Sequence, residues 1–261
     1  EQFNDALRAA SSGNTALLDQ YSASMQQDSL GYYPEYWKLN MSLGYQPSGN
    51  IIDFAKRYPQ SAMAEKLAAD YVEEKVKQAD YNNARPVVPY VTNPDQAESC
   101  AVAQVRAKSD DPLVFAEFKD LWLNTGNLPE SCQGLGRMML TSPLMSTQDK
   151  QQRLWGELCA GQIDKAQATA NAMGLNLSLA QFNQIQSNPL NYLWSAPKNN
   201  DADYAYLIFA LARLTETDLD SGLSATNRAA ENVPEAVQKY LYRTVAYIGG
   251  TTVLKNNFNR I

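Results

Sequence analysis

Three cysteines offer the most reactive side chains in this 261-residue sequence. Cys100 and Cys132 are 32 residues apart, about the spacing of one helix pair, so their thiols could meet across neighbouring helices. Such a pair serves either as a redox switch or as a structural disulfide, and we favour the disulfide because closing a long loop stabilises a fold. Cys159 lies in the apolar pattern RLWGELCAG, which predicts a small, buried, apolar role.

Glu157 is the acidic residue whose sequence surroundings best suit a proton donor. It lies between Leu154 and Leu158 in a predicted helix, and a buried carboxylic acid with a raised pKa can act as a general acid. Alternatively, the side chain faces solvent or pairs with Arg153 or Lys165, because acidic residues are rarely buried without a partner. We favour this structural role and predict no catalytic residue in the chain.

The composition argues against several classes of site and partner. The sequence contains no histidine, which removes the commonest general base and the commonest zinc ligand. It also lacks a phosphate-binding glycine loop, a nucleophile elbow and metal-ligand spacing, so we predict no metal and no cofactor. A net charge of −6 and a pI near 4.8 disfavour nucleic acid, because binding phosphates requires clustered Lys and Arg.

No apolar run approaches the roughly 20 residues that a membrane-spanning helix needs. The chain also does not open with a basic segment followed by an apolar one, so we expect that any signal peptide has already been removed.

Fifteen tyrosines and four tryptophans raise the question of sugar binding, because aromatic faces stack on the apolar face of a sugar ring. The cluster most suited to this lies around Pro34 and contains Tyr32, Tyr33 and Tyr36. The cores of helical proteins also use many aromatic residues, and we favour packing as the role of this cluster.

The elements that would position these residues are helices. After Pro112, apolar side chains fall at offsets 0, 4, 7 and 8, which predicts one stripe on a helix: Val114, Phe118, Leu121 and Trp122. We expect Cys132 just before the following helix, and Gly249 with Gly250 to end the last one. Further predicted helices are Ala62–Gln78, Ser146–Ala160, Gln162–Met173, Ser178–Ser187, Pro189–Ala196, Asp201–Arg213, Leu219–Asn232 and Pro234–Ile248.

About fifteen short helices with short connections predict an all-α fold. Helix pairs that recur every 30 to 45 residues or so are typical of an α-solenoid, in which each pair buries its apolar face against its neighbours. The sequence therefore predicts a superhelix of short antiparallel helix pairs, and residues 81–94, which contain three prolines, predict a broken helix rather than a strand.

Three stretches resemble the N-terminal half, or U domain, of the soluble lytic transglycosylases of Gram-negative bacteria. They are YPEYWKLNMSL, the segment ending in RYPQS, and ESCAVAQVRAK with FKDLWLNTGNLPESCQGLGRMML. The likeness is clearest between Tyr33 and Met173. It implies a curved or ring-forming array of helices, a structural disulfide between Cys100 and Cys132, a periplasmic location, and peptidoglycan glycan strands as substrate of the whole enzyme, which cleaves them with formation of a 1,6-anhydro ring.

The sequence departs from the whole enzyme in its catalytic motifs. That family's lysozyme-like domain carries a Glu-Ser pair, a Gly-Leu-Met-Gln stretch and an Ala-Tyr-Asn-Ala-Gly stretch. Glu98-Ser99 and Glu130-Ser131 both belong to the cysteine-bearing pattern instead. We therefore expect residues 1–261 to form a single helical U-type domain, a fragment of a longer chain without its catalytic domain.

The expected function is to shape access to that missing catalytic domain, through which the protein would meet peptidoglycan, with other cell-wall proteins as further partners. The alternative is a free-standing periplasmic solenoid adaptor that binds another protein. A further alternative, an independent helical glycosidase, would need two carboxylates about 5 to 9.5 Å apart across a cleft, and we do not favour it.

Overall fold

The computed structural model describes residues 1–123 and 126–258, and the side chains of these as far as residue 251. All regular elements in this part of the chain are helical, which confirms the predicted all-α class. The α-helices are α1 Gln2–Ser11, α2 Thr15–Ser24, α3 Tyr33–Met41, α4 Ser48–Arg57, α5 Ala62–Lys77, α6 Tyr81–Ala84, α7 Gln96–Ala107, α8 Leu113–Leu123, α9 Glu130–Thr141, α10 Thr147–Cys159, α11 Ile163–Ala172, α12 Leu179–Ser187, α13 Pro189–Ser195, α14 Asp201–Thr217, α15 Leu219–Ala229 and α16 Glu235–Phe258. Two 3-10 segments are Leu43–Tyr45 and Arg85–Tyr90.

Local sequence explains where most helices begin and end. Side-chain oxygens accept hydrogen bonds from the first free backbone N–H groups of α2, α5, α10, α12, α13, α14 and α15. Ser61, predicted to cap α5, accepts from the Ala64 N–H at 3.0 Å. Gly174 ends the turn after α11 with φ of +78°, a left-handed conformation that suits glycine.

Several predicted helix boundaries are wrong. α14 runs to Thr217 rather than Arg213, and α15 ends at Ala229 rather than Asn232. Cys132 lies inside the first turn of α9, which begins at Glu130 rather than after the cysteine. The last helix does not stop at Gly249 and Gly250, because α16 continues to Phe258. A glycine pair weakens a helix by about 1 kcal/mol per residue relative to alanine but leaves its backbone hydrogen bonds intact.

The chain divides into two compact units. The first comprises Glu1–Glu117 and Leu128–Met138, and the second comprises residues 118–127 and those from 139 onward. Within each unit consecutive helices pack across short connections, as α1 does with α2 and α10 with α11. Among the described helices, none combines the length and the apolar character needed to cross a membrane.

The first unit is built around α5. This helix packs against α3, α4, α6, α7 and both 3-10 segments, and its buried side chains include Leu67, Tyr71 and Val72. Two buried polar groups on α5 find backbone partners. The Tyr71 hydroxyl donates to the Gln46 carbonyl at 2.8 Å, and Lys75 Nζ donates to the Gly44 carbonyl at 2.9 Å.

The second unit is built around α14, which contacts α10, α12, α13, α15 and α16. Its residues from 207 to 212 are consecutively buried, so the helix is apolar on every side. Gly222 of α15 allows a close approach here, because a Cβ at this position would lie 2.8 Å from the Thr215 Cα and 2.3 Å from its Oγ1.

Gly222→Ala should therefore destabilise the second unit by about 1–3 kcal/mol, because the added methyl group forces α14 and α15 apart. The matched control is Gly250→Ala in the same unit, where a Cβ meets nothing within 4 Å. The control should stabilise α16 by up to about 1 kcal/mol. Urea unfolding followed by circular dichroism measures both changes, and equal effects of the two variants would contradict the close packing of α14 and α15.

Candidate functional site

The two cysteines that the sequence pairs lie side by side in the first unit. Cys100 in α7 and Cys132 in α9 are buried, and their sulfurs are joined at 2.05 Å with the Cα atoms 4.9 Å apart. The helix pattern positions both thiols, because each occupies an inward-facing position near the beginning of its helix.

Hydrogen bonds reinforce the same helix pair. The Gln104 side-chain amide donates to the Ser131 carbonyl at 2.7 Å, and the Ser131 hydroxyl donates to the Ala97 carbonyl at 2.6 Å. A Cβ on Gly134 would lie 2.5 Å from the Gln104 amide nitrogen, so a side chain there would collide with this contact. The arrangement holds α7 against α9 and leaves no room for a substrate between them.

Neither Glu-Ser pair forms a catalytic site. Glu98 belongs to a capping box, in which its carboxylate accepts from the Asp95 N–H at 3.0 Å and Asp95 accepts from the Glu98 N–H at 2.8 Å. Glu130 is exposed and pairs with Arg137 at 2.9 Å. Both glutamates therefore serve to begin or to brace a helix.

Glu157 is buried, with 2% of its surface exposed, so the predicted orientation towards solvent is wrong. The predicted pairing with Arg153 is confirmed, with Arg153 Nε 3.7 Å from Glu157 Oε1. The Thr169 hydroxyl donates to the same carboxylate oxygen. Burial raises the pKa of Glu157, while Thr169 and Arg153 partly oppose the increase. Among the described residues, the groups that act on this carboxylate are the Thr169 hydroxyl and the cationic Arg153 and Lys165, so the geometry supports a structural role.

Cys159 is half-buried rather than fully buried. Its Sγ lies 3.2 Å from the Thr244 Oγ1, and burial raises the pKa of the thiol. A thiol with a raised pKa is a poor nucleophile at neutral pH. It lies at the edge of a cavity of about 1030 Å³ whose charged lining residues are Glu216 and Arg243.

The aromatic cluster around Pro34 packs on itself, as predicted. Tyr36 is buried, and the rings of Tyr32 and Tyr33 stack with their centroids 4.7 Å apart. The ring centroids of Phe3 and Trp37 each lie 5.4 Å from the ring centroid of Tyr33. These rings are therefore occupied by one another.

Trp194 is exposed, with 57% of its surface accessible, and was not among the predicted site residues. The sequence held a weak signal for it, because Trp194 comes at the end of a helix of seven residues that begins with proline. A helix this short has no long apolar stripe to place the indole in a core.

Over the described residues, no group of three or more Cys, Asp or Glu side chains is placed to hold a metal ion.

No protein-family model matches this sequence, and a comparison with curated proteins finds no match. The fold is nevertheless similar to solved structures of lytic transglycosylases. The 70 kDa soluble lytic transglycosylase of Escherichia coli aligns with a TM-score of 0.59 and 17% identity. A complex of the 70 kDa soluble lytic transglycosylase with bulgecin A gives a TM-score of 0.59 and 16% identity. An inactive mutant of the lytic transglycosylase Slt of Pseudomonas aeruginosa gives 0.61 and 16%.

Each alignment covers 95% of this chain and 41% of the other. The chain therefore spans less than half of the length of the proteins whose fold it shares. At this level of identity the likeness establishes the helical fold, and it agrees with the resemblance seen in the cysteine-bearing segments.

Replacing both Cys100 and Cys132 by alanine should lower the free energy of unfolding by about 3 kcal/mol, because the disulfide restricts the unfolded chain. Urea unfolding without reductant measures the change, and Cys159→Ala is the control, with a much smaller effect. Thiol titration of the denatured, unreduced protein should find one free cysteine. Three reactive thiols before reduction would contradict the disulfide.

The buried Glu157 should make stability fall as pH rises. Because the folded state holds this proton more tightly than the unfolded chain, its contribution is greatest below the ordinary pKa of 4.5 and is lost as pH rises towards the raised value. Glu157→Gln cannot ionise. The unfolding free energy of the wild type minus that of the variant should therefore decrease from pH 4 to pH 7 or so, as measured by urea unfolding.

The matched control for this pH series is Glu235→Gln. Glu235 is exposed and pairs with Lys239 at 2.6 Å, and this ion pair lowers its pKa. Its difference curve should show no decrease with rising pH. A flat curve for Glu157→Gln as well would mean that the carboxylate at position 157 is not desolvated.

Proposed function

We propose that this chain is the non-catalytic helical region of a soluble lytic transglycosylase. Its role is to pack beside a catalytic domain carried by the same protein and to restrict which glycan strands reach it. In this proposal the whole protein acts on peptidoglycan in the periplasm, and the 261 residues contribute shape rather than chemistry.

The observation that carries the proposal is the extent of the fold likeness. Nearly all of this chain aligns with lytic transglycosylase structures, whereas these residues account for 41% of each of those chains. This chain shares its helical fold with those proteins at only 16–17% identity. Such a likeness is expected when the core pattern that sets the fold is kept while most other residues change.

The positions of the three candidate glutamates also favour a non-catalytic role for this chain. Glu98 caps a helix, Glu130 pairs at the surface, and Glu157 is buried against Arg153 and Thr169. A glycosidase requires a carboxylic acid that reaches a glycosidic oxygen. Glu98, Glu130 and Glu157 are instead engaged in a helix cap, a surface ion pair and a buried contact, respectively.

The disulfide favours the proposed compartment. Disulfides persist in oxidising spaces such as the bacterial periplasm and are rare in the cytosol. Cys100 and Cys132 connect two helices of the first unit and are shielded from solvent, as suits a permanent link.

An antibody against this chain can isolate the native protein from its source for intact-mass measurement and assay. We expect a mass well above 29.0 kDa. Incubated with purified cell-wall sacculi, the native protein should release 1,6-anhydro products detectable by mass spectrometry. The recombinant 261-residue chain should release none.

Three variants test whether the 261-residue chain has a catalytic activity of its own. If the recombinant chain released sugar products, Glu98→Gln, Glu130→Gln and Glu157→Gln would identify the responsible carboxyl group, and the non-catalytic role would be wrong. A native mass near 29.0 kDa without turnover would instead favour the free-standing helical adaptor.

A further inference from the structure

A groove on the second unit lies between α13 and α15. Its volume is about 380 Å³; α13 contributes leucine and tryptophan side chains to it, and α15 contributes the acidic, basic and hydroxyl side chains. Its lining residues are Leu190, Leu193, Trp194, Asp220, Ser221, Ser224, Ala225, Arg228 and Ala229. The groove is separate from the disulfide pair and from Glu157, so none of the roles described above explains it.

Trp194 forms an aromatic wall of this groove and is held in place by Arg228. The guanidinium carbon of Arg228 lies 4.0 Å from the centroid of the indole ring, a cation–π contact. Arg228 also donates to the Trp194 carbonyl at 3.3 Å. With 57% of its surface exposed, Trp194 still offers much of its ring to a ligand.

Polar side chains follow one face of α15 beside the indole. Asp220, Ser224 and Arg228 are spaced four residues apart, which places them in a row along the helix. Within the described part of the chain, the Asp220 carboxylate and the Ser224 hydroxyl make no side-chain hydrogen bond or ion pair. A strong acceptor and a hydroxyl that both donates and accepts are therefore available next to an aromatic face.

We propose that this groove binds a neutral saccharide, with a sugar ring stacked on Trp194 and its hydroxyl groups hydrogen-bonded to Asp220 and Ser224. Sugar rings combine an apolar face with a rim of hydroxyl groups, and the groove presents the complement of both. Sites for small ligands characteristically combine apolar walls with a few such polar groups.

The charges around the indole favour a neutral ligand. Arg228 already occupies the place of a cation over the ring, so a second cation would meet its positive charge. The carboxylate of Asp220 repels an anionic ligand. Arg228 and Asp220 together leave hydroxyl groups as the chemistry best matched to the site.

The groove continues around Trp194 into a second cavity of about 560 Å³, which shares Leu193, Ser224 and Arg228 with the first. Asn227 and Lys198 line this extension. Lys198 Nζ donates to the carbonyls of Arg228 and Glu231, at 2.8 and 2.7 Å, and so braces the end of α15. The continuous space suits an oligosaccharide rather than a single sugar.

The test is a titration of the ¹⁵N-labelled 261-residue chain with chitotriose and with cellotriose, both neutral β-linked trisaccharides. Saturable binding of either sugar should shift the indole N–H signal that is absent from the spectrum of Trp194→Ala. Trp194→Ala should weaken binding at least about tenfold, the scale of one aromatic contact. Asp220→Asn should weaken it by about three- to tenfold, because a neutral acceptor replaces a charged one.

The matched control is Tyr45→Ala, which removes an aromatic ring that is 93% exposed in the first unit, and it should leave binding unchanged. Circular dichroism confirms that each variant is folded. Absence of saturable binding, equal weakening by Tyr45→Ala, or tighter binding of trilysine than of both sugars would overturn the proposal. The proposal rests on the groove alone, so a native mass near 29.0 kDa would leave it standing, and failure to bind sugar would leave the proposed function standing.

Discussion

Packing of the other helices around one central helix is the constraint on which each unit of this protein depends. In the second unit α14 is apolar around its whole circumference, and α10, α12, α13, α15 and α16 cover it. In the first unit α5 is the central helix, and it buries one broad face while Lys66 and Lys77 stay exposed. Short amphipathic helices are marginal in water by themselves, so their stability comes from packing against such a centre. Gly222 shows how closely the covering helices approach it.

The same constraint explains how the chemically capable residues are used. Cys100 and Cys132 face each other because their helices pack, and the link then holds that packing. Glu157 lies inside the second unit, where Arg153 and Thr169 offset part of the desolvation of its carboxylate. The cysteine pair and Glu157 are therefore structural, whereas Asp220 and Ser224 on the exposed face of α15 make no side-chain hydrogen bond or ion pair with the described residues.

Several features were accessible from residues close together in the chain. Ser61 caps α5 and Gly174 ends the turn after α11, because both effects involve neighbouring backbone groups. The helical class follows from the apolar period, and the cysteine-bearing segments predicted the family whose fold the structure shares. The end of α16 was mispredicted because glycine weakens a helix without breaking it, so tertiary contacts decide where it stops.

The sequence by itself determined the all-α class and where most helices begin, because these depend on local periodicity and capping. Spacing made Cys100 and Cys132 candidates for a disulfide, and the resemblance implied their pairing. Only the tertiary structure decided that Glu157 is buried and that Trp194 is exposed. Burial depends on which helix covers a given face, and residues distant in sequence, such as Thr169 for Glu157 and Arg228 for Trp194, supply that cover. The groove between α13 and α15 exists for the same reason, since its walls come from separate segments of the chain.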